Sequence, residues 1–280
     1  MIDYPAILDF RTPAKHYAWT ERDVMLYALA LGMGENPTDP AVLPFIQETG
    51  LRVLPTFATV AAWGAGINPA KLGADRRFTL HGEQSATFHR PLPATGAVLA
   101  QSWVVAAYDG GEKGALVVSR TALRDPHTQE PLVTLQRTGV FRGRGGFGGP
   151  PPPSVAVEAP ARNPDFTVDV ATRPDQALLY RLCGDRNPLH ADPAAARRAG
   201  FERPILHGLC TYGLVGRAVL QACCGGDPTG LQTLSVRFAA PVQPGDTVTI
   251  LGWREADGVA LEAYAAGRRV IRNGRAVLQP

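Results

Sequence analysis

The apolar positions of this chain change period in one direction, and they do so twice. From Gly208 to Cys224, Leu209, Val215, Val219 and Leu220 are interspersed with the small residues Gly213, Gly216 and Ala218 and no proline intervenes. That pattern predicts a buried helix lying close against a neighbour. Beyond it the period falls to two. Leu234, Val236 and Phe238 alternate with polar or small residues, as do Val248 and Ile250, then Val259, Leu261 and Ala263. Turn residues such as Pro244-Gly245-Asp246 and Asp257-Gly258 separate these runs, which reads as a series of antiparallel strands. Strand-like runs over 76–90, 97–108, 115–124 and 131–141 in the first half follow a helical segment opened by Val53-Leu-Pro-Thr-Phe-Ala58.

The segment from Arg142 to Pro153 is too rich in glycine and proline for a helix or a central strand, and it divides the chain near its middle. The same order of features recurs on either side. Tyr27, Asn36-Pro37 and Asp39-Pro40 correspond to Tyr180, Asn187-Pro188 and Asp192-Pro193, and Phe88-His-Arg-Pro91 corresponds to Phe238-Ala-Ala-Pro241, at an offset of about 150 residues. The expected organisation is a first unit over 1–142, a Gly/Pro-rich linker over 143–160 and a second unit over 161–280. One helix followed by a long antiparallel sheet, made twice, predicts an α+β double hotdog in which each sheet wraps a central helix.

Composition narrows the picture only a little. With 45% hydrophobic and 19% charged side chains in 280 residues, the chain has enough apolar material for substantial cores. A net charge of +3 is too small to suggest a nucleic-acid partner, yet a few local arginines suffice for a phosphate-bearing ligand. No apolar run reaches membrane-spanning length, and Met1 to Phe10 lacks the basic start and apolar stretch of a signal peptide. No membrane association and a cytoplasmic location are therefore expected, and the ending Val277-Leu-Gln-Pro280 is not a Ser-Lys-Leu-type peroxisomal address. Cys183, Cys210, Cys223 and Cys224 contain no CxxC pair, so buried thiols are expected rather than a metal site or disulfides.

The chemistry is concentrated in Gly184-Asp-Arg-Asn-Pro-Leu-His190. Asn187-Pro188 turns the backbone away from the helix and puts Asp185 and His190 on a loop. A helix restarts with Asp192 as N-cap and Pro193 at its first position, and stops at Gly200. Taken alone, such an Asp and His read as a turn with a capping aspartate and a surface histidine. A loop pinned at both ends can instead hold a carboxylate and an imidazole at the separation needed to position one water. Gly208, after His207, opens the long helix, where an unpartnered amide and the helix dipole favour a developing negative charge. His207 itself reads as a packing or hydrogen-bonding residue beside the substrate. His16, His81, His89 and His127 have no partner motif and read as structural or surface residues.

Tyr180-Arg-Leu-Cys-Gly-Asp-Arg-Asn-Pro-Leu-His190 and Pro204-Ile-Leu-His-Gly-Leu-Cys-Thr211 resemble the hydratase 2 signature of the MaoC-like family of (R)-specific enoyl-CoA hydratases. Asp23-Val-Met-Leu-Tyr27, Leu54-Pro-Thr-Phe57, Leu80-His-Gly-Glu-Gln84 and Gly145-Gly-Phe-Gly-Gly149 extend the likeness over nearly the whole chain, toward the double-hotdog hydratase 2 domain of multifunctional enzymes of type 2. The resemblance implies syn addition of water to a trans-2-enoyl-CoA to give the (3R)-3-hydroxyacyl-CoA. It further implies Asp185 and His190 as the acid/base pair, Asn187 as the residue orienting the loop and the Gly208 amide as the oxyanion hole. No cofactor is implied, since the substrate itself carries coenzyme A, and the working form is a homodimer. Cys183 stands where relatives commonly carry serine. Gly34-Glu-Asn-Pro-Thr38 has no histidine to match His190, so the first unit reads as catalytically silent and as room for bulky acyl chains. Arg186 and Arg203 are candidates for the phosphates of coenzyme A, with Arg197, Arg198 and Arg217 nearby in sequence, and Gly146, Phe147 and Gly148 for contact with the substrate. A hotdog thioesterase, or a non-catalytic subunit of a heteromeric hydratase, is the competing reading.

Overall fold

The computed structural model describes residues 2–74, 79–154 and 159–279. Among these described residues, ten strands form one antiparallel sheet: β1 (Lys15–Trp19), β2 (Thr79–Phe88), β3 (Gly96–Asp109), β4 (Ala115–Arg124), β5 (Pro131–Phe141), β6 (Phe166–Ala171), β7 (Leu231–Phe238), β8 (Thr247–Glu255), β9 (Gly258–Ala265) and β10 (Arg268–Leu278). Their spatial order is β1-β3-β4-β5-β2-β7-β10-β9-β8-β6. Counted within its own half, each strand occupies the mirror position of its counterpart, so the two halves share a pseudo-twofold relation. The seam is the pair β2 and β7, where Ser85 lies opposite Ser235. Those two serines are about 150 residues apart, the offset of the sequence repeat. This is the double hotdog expected from the residues.

The strand read over 76–90 is β2, and residues 76–78 of that reading lie outside the described residues, as do 155–158 of the linker. The two halves differ in their helices. In the second, α5 (Gly208–Cys223) runs for sixteen residues, with Tyr212, Leu214, Val215, Val219 and Leu220 buried. Each such apolar side chain contributes about 1.5–3 kcal/mol by leaving water, so this helix anchors the sheet. Its glycines serve close approach. A Cβ on Gly213 would stand 2.7 Å from the Leu31 side chain, and one on Gly216 would stand 2.6 Å from Thr56, so only glycine lets the first half pack this near.

The first half has the expected helical segment, but it is short. The counterpart of α5 there is a 3₁₀ turn (Pro55–Phe57) running into α2 (Ala58–Ala61), together only seven residues. Gly64, Gly66 and Asn68-Pro69 follow at once, and a helix cannot continue easily through them. The halves interlock through α1 (Glu21–Ala30), whose C-terminal carbonyls receive donors from the second half. Gln176 Nε2 donates to the Ala30 carbonyl at 2.6 Å and Arg217 Nη1 donates to the Leu31 carbonyl at 3.0 Å. That use of Arg217 corrects its place among the phosphate candidates: burial commits it to holding a helix end.

Candidate active site

The site begins where α3 (Gln176–Tyr180) passes into a 3₁₀ turn (Arg181–Cys183) and the chain reverses at Gly184. Gly184 has φ +132°, and a Cβ there would come within 2.5 Å of the Trp63 side chain. Both the backbone conformation and the indole of the first half demand glycine. Local hydrogen bonds then shape the loop. The Asn187 amide donates to Asp185 Oδ1 at 3.1 Å, and Asn187 Oδ1 caps the following 3₁₀ turn (Pro188–His190) by accepting from the Leu189 amide at 3.1 Å. His190 thus sits on one turn of helix and not in open loop. Asp192 accepts from the Ala194 amide at 2.7 Å as the N-cap of α4 (Pro193–Arg198), which pins the far end.

Two imidazoles meet behind this loop. The His190 and His207 rings stack with centroids 3.8 Å apart and planes 29° from parallel. His190 Nδ1 lies 2.8 Å from the Ile205 carbonyl, and His207 Nε2 lies 3.1 Å from the backbone carbonyl of Asp185. A carbonyl only accepts, so each of these nitrogens carries the proton. Neutral His190 therefore keeps its lone pair on Nε2. Burial lowers its pKa below the usual imidazole value, opposed in part by the Ile205 carbonyl and the Asp185 carboxylate. Burial, with His190 beside it, pushes His207 down to about 3, so both rings are neutral near neutral pH.

A carboxylate oxygen of Asp185 and one ring nitrogen from each histidine lie within 4.8 Å of one another. Two hydrogen bonds of about 2.8 Å span up to about 5.6 Å, so this gap suits a single bridging water.

Gly208, the first residue of α5, follows directly, and its amide belongs to the helix turn that has no intrahelical acceptor. A Cβ on it would sit 3.5 Å from the Phe238 ring. His81 of β2 packs edge-on to that same ring at 5.0 Å, so a histidine read from sequence as merely structural or surface approaches the site from the first half. Trp63 is another contributor that sequence reasoning missed. A cavity of about 220 Å³ lies beside the loop, lined by Trp19, Phe57, Val60, Trp63, Leu182 and Cys183.

The structure thus brings Asp185, Asn187, His190, His207 and Gly208 together. Arg186 and Arg203 are exposed on the flanking segments, with Arg203 Nε donating to Gln243 at 3.2 Å. Gly146, Phe147 and Gly148 have a different setting. The Gly146 and Gly148 amides donate to the Asp109 carboxylate at 2.7 and 2.8 Å, and Phe147 packs against Tyr4. They fold over the end of β3, where a second apolar cluster includes Ile7, Leu72 and Phe141.

Residues 155–271 match the model of the MaoC like domain, and residues 17–143 match that of the MFE-2 hydratase 2 N-terminal domain. The chain is 39% identical to an enoyl-CoA hydratase, ChsH3, of Mycobacterium tuberculosis, over 95% of this chain and 94% of that protein. It is 38% identical to the peroxisomal enoyl-CoA hydratase 2 of Arabidopsis thaliana, over 89% and 86%. The crystal structure of a MaoC-like dehydratase from Phytophthora capsici superposes with a TM-score of 0.87 at 30% identity, covering 99% of both chains. These likenesses also overturn the expectation of a cytoplasmic location. The Arabidopsis protein and relatives from mouse, Neurospora crassa, Drosophila and yeast are peroxisomal enzymes. Composition does not report compartment, because such addresses are read by receptors and leave no mark on a fold.

Proposed function

Because this chain belongs to the MaoC-like family, with a first half like that of the multifunctional enzyme type 2 hydratases, we propose that it adds water to a trans-2-enoyl-CoA through Asp185 and His190. The chain is a hydro-lyase, and its reaction is the reversible (R)-specific hydration of an enoyl thioester in acyl-CoA metabolism. No cofactor takes part. Coenzyme A arrives as part of the substrate.

The observation that carries the residue assignment is the spacing within 4.8 Å of the Asp185 carboxylate and the imidazoles, together with a lone pair left on His190 Nε2. In the proposed mechanism Asp185 and His190 hold one water between them. The water oxygen attacks C3 while Nε2 takes its proton, and the π electrons move onto the thioester oxygen. That oxyanion is met by the Gly208 amide at the positive end of α5. The enolate then collapses, and the imidazolium returns a proton to C2 from the same face, which gives syn addition and restores the base. Asn187 holds Asp185 in place by accepting from Leu189 and donating its own amide to the carboxylate.

The rest of the proposal concerns binding. The chain is read as two hotdog units, 1–142 and 161–280, joined by 143–160, with the first unit silent in catalysis. The cavity beside Trp63, whose lining mixes aromatic and aliphatic side chains with Tyr17 and Asp23, is the candidate for the acyl chain, its room supported by the shortness of α2. Arg186 and Arg203 are candidates for the phosphates, and Gly146, Phe147 and Gly148 for a more distant part of the substrate. The working form is a homodimer, which light scattering reads directly.

Crotonyl-CoA tests the reaction. Loss of the enoyl absorbance without release of free thiol, with the R alcohol as product, is the expected result. Release of free thiol instead means a thioesterase.

A further inference from the structure

His207 touches both members of the proposed catalytic pair and presents neither of its nitrogens as the obvious proton carrier. Its residue is 1% exposed. One face stacks on His190 at 3.8 Å, and its Nε2–H holds the backbone carbonyl of Asp185 at 3.1 Å. The Tyr180 ring lies 5.0 Å away. Its Nδ1 is buried without a hydrogen-bond partner, so that nitrogen serves no visible network. The Asp185 segment lacks the regular hydrogen bonding of a helix or strand, and His207 ties it to the first turn of α5.

We propose that His207 is a positioning residue for hydration: its Nε2–H fixes the backbone of Asp185 and its ring fixes the plane of His190, so that the two catalytic groups are set relative to the Gly208 amide. One residue thereby couples the water-holding pair to the oxyanion donor next to it in sequence. Burial keeps the ring neutral near neutral pH, and the proton of that form sits on Nε2, where the Asp185 carbonyl accepts it. This inference rests on the assignment of Asp185 and His190 as the acting pair.

Two substitutions separate positioning from packing and from proton transfer. His207→Phe keeps an aromatic ring against His190 and removes the donor, whereas His207→Gln places an amide N–H near the former Nε2. The account expects kcat of His207→Phe to fall on the order of 10²-fold with little change in KM, the usual cost of a misplacement near 1 Å. His207→Gln is expected to recover kcat to within about threefold of the unsubstituted enzyme, the scale of a somewhat weaker hydrogen bond, with the acid limb of its pH profile unmoved. Unchanged kcat in His207→Phe overturns the proposal in favour of packing. An equal large fall in both variants overturns it in favour of direct proton transfer. Should the phenylalanine variant fail to fold, the glutamine variant decides alone: near-normal kcat with an unmoved acid limb supports positioning, and a large loss in a folded protein overturns it. Asp185→Asn and His190→Gln are assayed alongside. If those two retain activity the pair itself is misassigned, whereas if they are inactive and His207→Phe is not, only the role of His207 fails.

Discussion

Tyr27 and Tyr180, which hold corresponding places in the two halves, meet at the centre of the molecule with ring centroids 6.0 Å apart, both fully buried. Tyr27 also packs edge-on against Phe57 at 5.7 Å, and Tyr180 lies 5.0 Å from His207, which stacks on His190. A line of five rings therefore runs from the short helical segment of the first half to the proposed base. The first half supports the site by packing.

Phe57, 2% exposed and also edge-on to Trp19, starts that line. Phe57→Ala is expected to lower the unfolding free energy by about 3–5 kcal/mol, the range for a large aromatic side chain lost from a packed core. Urea denaturation measures it.

Gly208 offers a way to delete one hydrogen-bond donor and keep the helix. Proline is favoured at the first helical position, and His207 before it already has φ −62° and ψ 135°, the extended conformation that a following proline requires. Gly208→Pro is therefore expected to fold and to lose about 10²- to 10³-fold in kcat, the usual effect of removing an oxyanion donor. Gly208→Ala keeps the amide and adds only an ordinary contact with Phe238, so its thermal stability is expected to match that of the unsubstituted chain. Circular dichroism and steady-state rates on the two variants check both halves of this expectation.

Gly184→Ala faces two penalties at once, a φ of +132° and a clash with Trp63. A loss of about 1–3 kcal/mol is expected from the strained backbone alone. Because Gly184 adjoins Asp185, kcat should fall as well. Combining the change with Trp63→Ala relieves the clash but not the backbone strain, so the double variant is expected to recover part of the stability and not all of it.

Much of this arrangement was legible in the sequence, and the misses have physical causes. The alternation in β3, β4 and β5 and the long apolar helix α5 are strong periodic signals, and Asn187-Pro188 and Asp192-Pro193 state their turn and cap locally. Edge strands β1 and β6 are short, and β10 shifts register between Arg272 and Arg275 with Asn273 at φ 49°, which breaks the period of two. The shortness of α2 follows from Gly64, Gly66 and Asn68-Pro69, which stop a helix soon after it starts. Trp63 on Gly184, Arg217 on Leu31 and His81 on Phe238 are tertiary relations with no local signature. The same holds for Asp109, whose carboxylate gathers the Gly146 and Gly148 amides from across the midchain segment.

The depressed imidazole pKa values fix the sign of two pH effects. His190 acts as a base only when neutral, and its folded pKa lies below 6.5, so the acid limb of kcat is expected below that value and not at it. For His207 the unfolded chain binds a proton near 6.5, whereas the folded chain resists protonation until about 3. Protons thus favour the unfolded state throughout that interval. Stability owed to a neutral His207 is complete above pH 6.5 and declines as pH falls toward 3, at up to about 1.4 kcal/mol per pH unit. His207→Gln, with nothing to titrate there, should show a shallower decline in denaturation experiments between those limits.

The central claim is that Asp185 and His190 jointly move the proton of one water. Its most direct test is the steady-state hydration of crotonyl-CoA by Asp185→Asn and His190→Gln, with circular dichroism to verify each fold. The account predicts a loss of about 10²- to 10⁴-fold in kcat for each variant in an intact protein. Turnover close to that of the unsubstituted enzyme in either one contradicts it.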